Sequence, residues 1–291
     1  MTAAILHIDL DALPPLSPLA GKLLRLDWND EASDRHLVEI IRSEPQLSAR
    51  IVGLANSVAF AAPGGRPVIA VEACLQRIGV RRAALLSVAA LFGHAVSHQL
   101  PARAAETLWL HALAVAHAAQ EIAHLKRLPD LDTAYLLGLL HDLGYFLIEY
   151  SRAGSLDALA DATVRDHITQ EEAEHRLFGA DHAELTWRLL EHWELPDELI
   201  EPIRVHHHSG IDPQGMAALI LGAEHLARAG ETVAALYADL GHPFAPLAVD
   251  RLGLETLFDD RLALSAEAVD GLLEGIIDAV ASLRECARVL A

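Results

Sequence analysis

The sequence predicts an all-α protein, and three observations carry that expectation. Apolar residues recur at three- and four-residue spacing through segment after segment, the pattern of a helix with one face in a core. Proline, serine and aspartate stand where helices start, and glycine and asparagine where they stop. No segment of the first half reads as a strand. With 291 residues, 52% of them hydrophobic, the chain can fill one large or two modest domains.

Taken in order, Leu13-Pro14-Pro15-Leu16-Ser17-Pro18 is a stiff segment whose prolines suit a loop and the first turn of a helix reaching about Leu26. A second helix over residues 34–42 has Leu37, Ile40 and Ile41 on one face. Pro45 opens a third with Leu47, Ile51, Leu54 and Ala55 inward. Asn56 and Ser57 read as the cap of that helix rather than as a contact surface. The Pro63-Gly64-Gly65 cluster is a breaker, residues 68–78 form a further helix closed by Gly79, and residues 80–96 follow directly. This half carries no paired thiols, no glycine-rich phosphate cradle and no Ser/His/Asp grouping, so it reads as a packed helical layer that shields or binds something.

The second half opens with a long helix over residues 105–125, where His111 shares the stripe of Leu108 and Val115 and so points inward, whereas His117 and His124 read as surface residues. Next comes the stretch on which the chain is centred, a helix over about residues 132–150. Its run 134–148 is apolar apart from His141, Asp142 and two tyrosine hydroxyls. An unpaired carboxylate buried there costs several kcal/mol, so Asp142 calls for a cation, a metal or several donors. A polar helix follows over residues 156–164. Asp181 then reads as an N-cap with Glu184 three positions on, which puts His182 in a first turn where the helix dipole disfavours a proton on the ring. The next helix starts near Pro196 and ends at His206-His207-His208, and a helix over residues 216–228 carries Glu224 and His225.

Each of these histidines and acids has a structural explanation when taken singly: a satisfied core imidazole, a solvated helix end, an exposed helical carboxylate. Together they place imidazoles and carboxylates on five separate helices that could converge in a bundle core, where metal sites are built. Nitrogen and oxygen ligands without thiolate suit Fe, Mn, Ni or Zn, one ion or a bridged pair, and Asp142 could bridge.

Bulk properties narrow the function classes. The net charge of −19 would repel a phosphate backbone and an anionic lipid surface, which argues against nucleic acid and membrane partners. Cys74 and Cys286 are the only cysteines and sit in apolar helical contexts, which suits a reducing compartment, and Asp9 and Asp11 stand where a signal peptide needs a basic start. The cytoplasm is the expected location.

These stretches, in this order, resemble the HDOD family, a relative of the HD-domain metal-dependent phosphohydrolases. The resemblance covers roughly residues 10–226. It is carried by Leu13-Pro14-Pro15-Leu16, Glu44-Pro45-Gln46-Leu47-Ser48-Ala49-Arg50 and Leu54-Ala55-Asn56-Ser57 in the first half. In the second half it is carried by Trp109-Leu110-His111, Leu137-Gly138-Leu139-Leu140-His141-Asp142-Leu143-Gly144, Asp181-His182-Ala183-Glu184 and Ile203-Arg204-Val205-His206-His207. It implies an N-terminal helical subdomain (residues 1–100) packed on an HD-like helical bundle (101–229), with a C-terminal helical extension (230–291), and a role in bacterial signal transduction. It also implies metal ligands at His111, His141, Asp142, His182, His206 and His207, with the last acidic ligand on Glu224. The relatives usually carry Asp there, and the extra methylene displaces the carboxylate by over ~1 Å. Where active relatives often follow His-Asp-x-Gly with Lys, this chain has Tyr145, and the glycine-tyrosine-proline signature of cyclic-dinucleotide phosphodiesterases gives way to Ser209-Gly210-Ile211-Asp212-Pro213.

Beyond Gly230 the resemblance ends. Ser265 reads as the cap of a last helix whose Val269, Leu273, Ile276, Val280, Leu283, Ala287 and Leu290 form a coiled-coil-like stripe, either a dimer seam or a face packed on the chain's own bundle. Two functions follow. The first is a signal-transduction module that binds a protein partner or a phosphorylated small ligand and keeps a metal site or its remnant. The second is a metal-dependent phosphohydrolase.

Overall fold

Helix signals in the sequence translate directly into helix boundaries in the computed structural model, which describes residues 8, 17–26, 32–57, 60, 65–97, 100–207, 215–229 and 257–291. The prolines at 14 and 15, the breaker at 63–64, His208 with the 209–213 stretch, and residues 230–256 lie outside the described residues. The first half folds into α1 (Pro18–Leu24), α2 (Ala32–Ser43), α3 (Pro45–Asn56), α4 (Val71–Ile78) and α5 (Val80–Ser97). Pro45 sits in the first turn of α3, and Gly79 takes φ +95° to turn α4 into α5, a conformation that costs glycine little.

The fourth helix is shorter than expected. Residues 65–70 stand outside any helix, and the Asn56 side chain pairs with both the N–H and the C=O of Val68, at 2.8 and 2.7 Å. Asn56 therefore closes its helix and also clamps the following loop. Ser57 is the cap residue proper, with its hydroxyl donating to the Leu54 carbonyl.

The second half is built on α6 (Ala102–Leu125), buried on nearly every side and packed against α7 (Leu131–Leu140), α13 (Gly215–Ala229) and the final helix α14 (Ala266–Leu290). Its many alanines let these neighbours approach. At Gly138 of α7 a Cβ would lie 2.7 Å from the Ala116 Cα, so only glycine fits that crossing. Helices α8 (Leu143–Ser151), α9 (Ser155–Asp166), α10 (Gln170–Phe178), α11 (His182–His192) and α12 (Asp197–Val205) complete the bundle. Helix α10 is absent from the sequence reading, although Thr169 and Glu172 form a reciprocal capping box at its start.

One expectation is corrected, and one alternative left open is decided. The single helix over 132–150 is two helices, broken at His141 and Asp142. Side chains at adjacent helical positions diverge by about 100° and do not face each other; the break brings His141 Nε2 within 3.2 Å of Asp142 Oδ2. The stripe on the last helix does not stand free for a second copy. Ile276, Val280, Ala287 and Leu290 are buried against the chain's own helices, α6 above all, and Arg284 and Arg288 reach Glu106 of α6 at 3.4 and 3.0 Å. Helix α14 also touches α3 and α5, so one apolar core runs through both halves and the C-terminal helix. An aromatic cluster marks the junction, where Phe92 of α5 meets Trp109, Phe146 and Trp193 edge-on at 5.3–6.4 Å.

No helix among the described residues is long and apolar enough to cross a membrane.

Candidate metal centre

The seven residues singled out in the sequence converge. His111 comes from the middle of α6, His141 and Asp142 from the break between α7 and α8, and His182 from the first turn of α11. His206 and His207 follow the end of α12, and Glu224 comes from α13. Except for His207, whose side chain is 11% exposed, none is more than 3% exposed. His117 is half-buried and His124 exposed, both away from this group.

Their donor atoms fall into two sets, each within 4.8 Å of one another: His111, His141, Asp142 and Glu224, and His182, His206 and His207. Asp142 lies between the sets. Its Oδ2 is 3.1 Å from His111 Nε2 and 3.2 Å from His141 Nε2, while its Oδ1 is 3.4 Å from His182 Nε2. Glu224 Oε2 lies 2.6 Å from His207 Nε2, so the longer side chain does reach the cluster. Its Oε1 is held by Arg228 at 2.7 Å, one helical turn on.

Local chain geometry aims each ring. His141 Nδ1 faces the Gly138 carbonyl at 2.8 Å and His206 Nδ1 the Ile203 carbonyl at 2.5 Å, so each ring turns its Nε2 into the cluster. A carbonyl only accepts, which places the hydrogen on Nδ1 and leaves Nε2 as a donor atom for a metal. Gly144 brings α8 and α11 together: a Cβ there would lie 2.3 Å from the His182 carbonyl oxygen, and its N–H donates to Thr186 Oγ1, which donates in turn to that same carbonyl, both at 2.8 Å.

The Nε2 atoms of His141, His182 and His206 and both Asp142 oxygens are buried without an aligned hydrogen bond. Burying such atoms costs about 1–3 kcal/mol each, more when charged, so this many in one place fits a bound cation. Charge responds in the same sense. Burial opposes ionisation of Asp142, but the neighbouring His141 and His182, with the close approach of the His111 ring, hold its carboxyl well below the usual range. Glu224 is likewise held well below, against burial, by Arg228 and His207. Burial pushes His111 down, and burial with the neighbouring His207 pushes His206 well down.

His182 departs from expectation. Burial and its place in a first turn oppose a proton, yet Glu174 and Asp142 outweigh both and raise it to about 10. Glu174 and Arg228 are the two residues at the site that the sequence reading missed. Glu174 stands in a polar run, Glu171-Glu172-Ala173-Glu174-His175, that looks solvated. Arg228 was legible, since an acid and an arginine four apart on one helix share a face.

The described residues form an all-helical bundle with a buried His/Asp cluster in two sets. The HDOD domain family matches residues 13–209, and the chain belongs to it. Three solved structures share the fold. A proposed phosphohydrolase from Shewanella amazonensis SB2B is 24% identical with a TM-score of 0.69, over 97% of this chain and 96% of that one. A proposed signal transduction protein from Marinobacter aquaeolei VT8 is 24% identical with a TM-score of 0.71, over 97% of this chain and 60% of that one. An HDOD domain protein with unknown function from Geobacter sulfurreducens is 22% identical with a TM-score of 0.70, over 97% and 94%. A curated relative, an uncharacterized protein of Treponema pallidum (strain Nichols), is 24% identical over 221 residues, 75% of this chain. The match spans 42% of that relative's length.

Proposed function

We propose that the protein is a regulatory module of signal transduction whose HD-like half, residues 101–229, holds one or two divalent ions at His111, His141, Asp142, His182, His206, His207 and Glu224, and which acts by binding a protein partner or a phosphorylated small ligand. Fe, Mn, Ni and Zn all suit a donor set of imidazoles and carboxylates without thiolate.

The observation that carries this reading is the enclosure of the cluster. Six of the seven side chains are at most 3% exposed, and the guanidinium beside them, Arg228, is paired with Glu224. Tyr145, at the position where active relatives often carry Lys, turns into the scaffold and bonds Glu174 rather than facing a substrate anion. The first half, residues 1–100, adds a helical layer whose Phe92 packs on Phe146, next to Tyr145, and on Trp193 at the end of the helix that carries His182. That contact joins the proposed partner-binding layer to the centre.

A second reading, a metal-dependent phosphohydrolase, is favoured by the completeness of the donor set and by Asp142 facing both halves of it. A divalent ion there would supply Lewis acidity toward a phosphoryl oxygen and acidify water. Metal analysis of the purified chain, with a bis(p-nitrophenyl) phosphate assay in added Mn or Fe, separates the two. The expected result is bound metal in the wild type, loss of it in His141→Ala, and no turnover by either. Turnover that disappears in His141→Ala would replace the regulatory reading with the hydrolase; no metal in any preparation would end both.

A further inference from the structure

Glu174 stands outside the seven-residue cluster, yet it is fully buried on α10 and most of its contacts go to one member of that cluster. Its Oε2 accepts the His182 backbone N–H at 2.9 Å and lies 2.9 Å from His182 Nδ1; its Oε1 is 3.1 Å from Nδ1 and accepts the Tyr145 hydroxyl hydrogen. The Tyr145 oxygen is 2.8 Å from the same Nδ1 and accepts from Gln170 Nε2, and the phenol ring stacks on the imidazole at 4.6 Å. A carboxylate can only accept, so one hydrogen belongs on Nδ1, and Nε2, which faces Asp142, is the nitrogen left for a metal once the ion displaces its proton.

We propose that Glu174 and Tyr145 form a clamp that fixes the tautomer and orientation of His182, and that Glu174 is a positioning residue of the metal centre. The proposal rests on the metal reading above. His141 and His206 are oriented by backbone carbonyls, which helix geometry supplies without any side chain. His182 sits at the start of its helix, where no preceding turn offers a carbonyl, and a carboxylate from another helix takes that part. A histidine ligand commonly donates its second N–H to such an acceptor, and removing the acceptor costs about 10–100-fold in metal affinity. The clamp also gives Tyr145 a purpose that lysine could not serve, because the hydroxyl donates to Glu174 while accepting from Gln170.

The test is Co(II) titration of the metal-free 291-residue chain, followed by visible absorption, with circular dichroism and thermal unfolding as checks of the fold. In Glu174→Gln the amide keeps the shape. With its oxygen on the backbone N–H, its NH2 faces Nδ1 and drives the hydrogen to Nε2, the nitrogen the metal needs. The expected outcome is a folded protein that binds Co(II) about 10–100-fold more weakly, with an altered spectrum. Tyr145→Phe keeps the ring and loses only the hydroxyl, and should show a smaller loss in the same direction. A folded Glu174→Gln with wild-type affinity and spectrum overturns the proposal. Should that variant not fold, Tyr145→Phe decides, and wild-type behaviour there overturns it equally. Failure of the metal reading looks different: wild type and His141→Ala would both lack a Co(II) band, which removes the proposal with its premise.

Discussion

At the scale of single residues, the geometry of the cluster depends on two residues outside the seven, Gly144 and Arg228. Gly144 lets the His182 carbonyl come to 2.3 Å from where a Cβ would be, and that obstacle is backbone, which cannot swing aside. Gly144→Ala should therefore force α8 and α11 apart, lowering stability by about 1–3 kcal/mol in urea unfolding and weakening metal retention. Arg228 holds Glu224 at 2.7 Å in surroundings where both are nearly closed to water. Removing one member of a buried ion pair leaves the other uncompensated, so Arg228→Met should cost about 3–5 kcal/mol. A loss below ~1 kcal/mol in the metal-free chain would show that Glu224 finds another counter-charge.

At the scale of helices, what the sequence revealed and what it hid have separate physical causes. Starts and stops are local chemistry and were readable: Pro45, Asp181, Ser265 and Gly79 all do what their types suggest. The break at His141 is tertiary. Nothing within 134–148 forbids a continuous helix by propensity, and it gives way because two adjacent side chains must reach one point in the core. Glu174 was missed for a similar reason, since an isolated glutamate in a polar helical run is usually solvated and only packing makes it interior, whereas Glu224 was reached through its place in the family order. Histidine positions were the most legible part of the site because their spacing on helix faces could be matched to a known order.

One cap also makes a pH-dependent prediction. Asp130 caps α7, its Oδ1 accepting the Thr133 N–H at 3.0 Å and its Oδ2 the Thr133 hydroxyl at 2.7 Å. Its partial burial opposes ionisation, but these bonds and Arg81 win and lower its pKa. A lowered folded-state pKa means the stabilisation is full above the unfolded value of about 3.9 and fades as pH falls through the folded value. Asp130→Ala should cost about 1 kcal/mol at neutral pH, and the gap between variant and wild type should close below about pH 4 in thermal unfolding.

At the scale of the whole molecule, both halves depend on a helix that neither contains. Helix α14 lies along α6 and reaches α3 and α5, with Ile276 and Leu290 fully buried at its seam. An unpaired carboxylate there costs several kcal/mol. Ile276→Asp should therefore release α14 and show as rapid proteolytic cleavage near residue 265, followed by loss of cooperative unfolding. Survival of a wild-type unfolding transition would mean that the two halves hold each other without the last helix.

That arrangement also bears on how the protein is made. The alanine-rich flank of α6, ending at Leu125, leaves the ribosome well before the helix that covers it, which starts at Ala266, so about 10–30 s pass with that flank bare at ordinary elongation rates. During that interval the nascent chain exposes a sticky helical surface with no native cover, and it should lean on holdase chaperones more than its final stability would suggest.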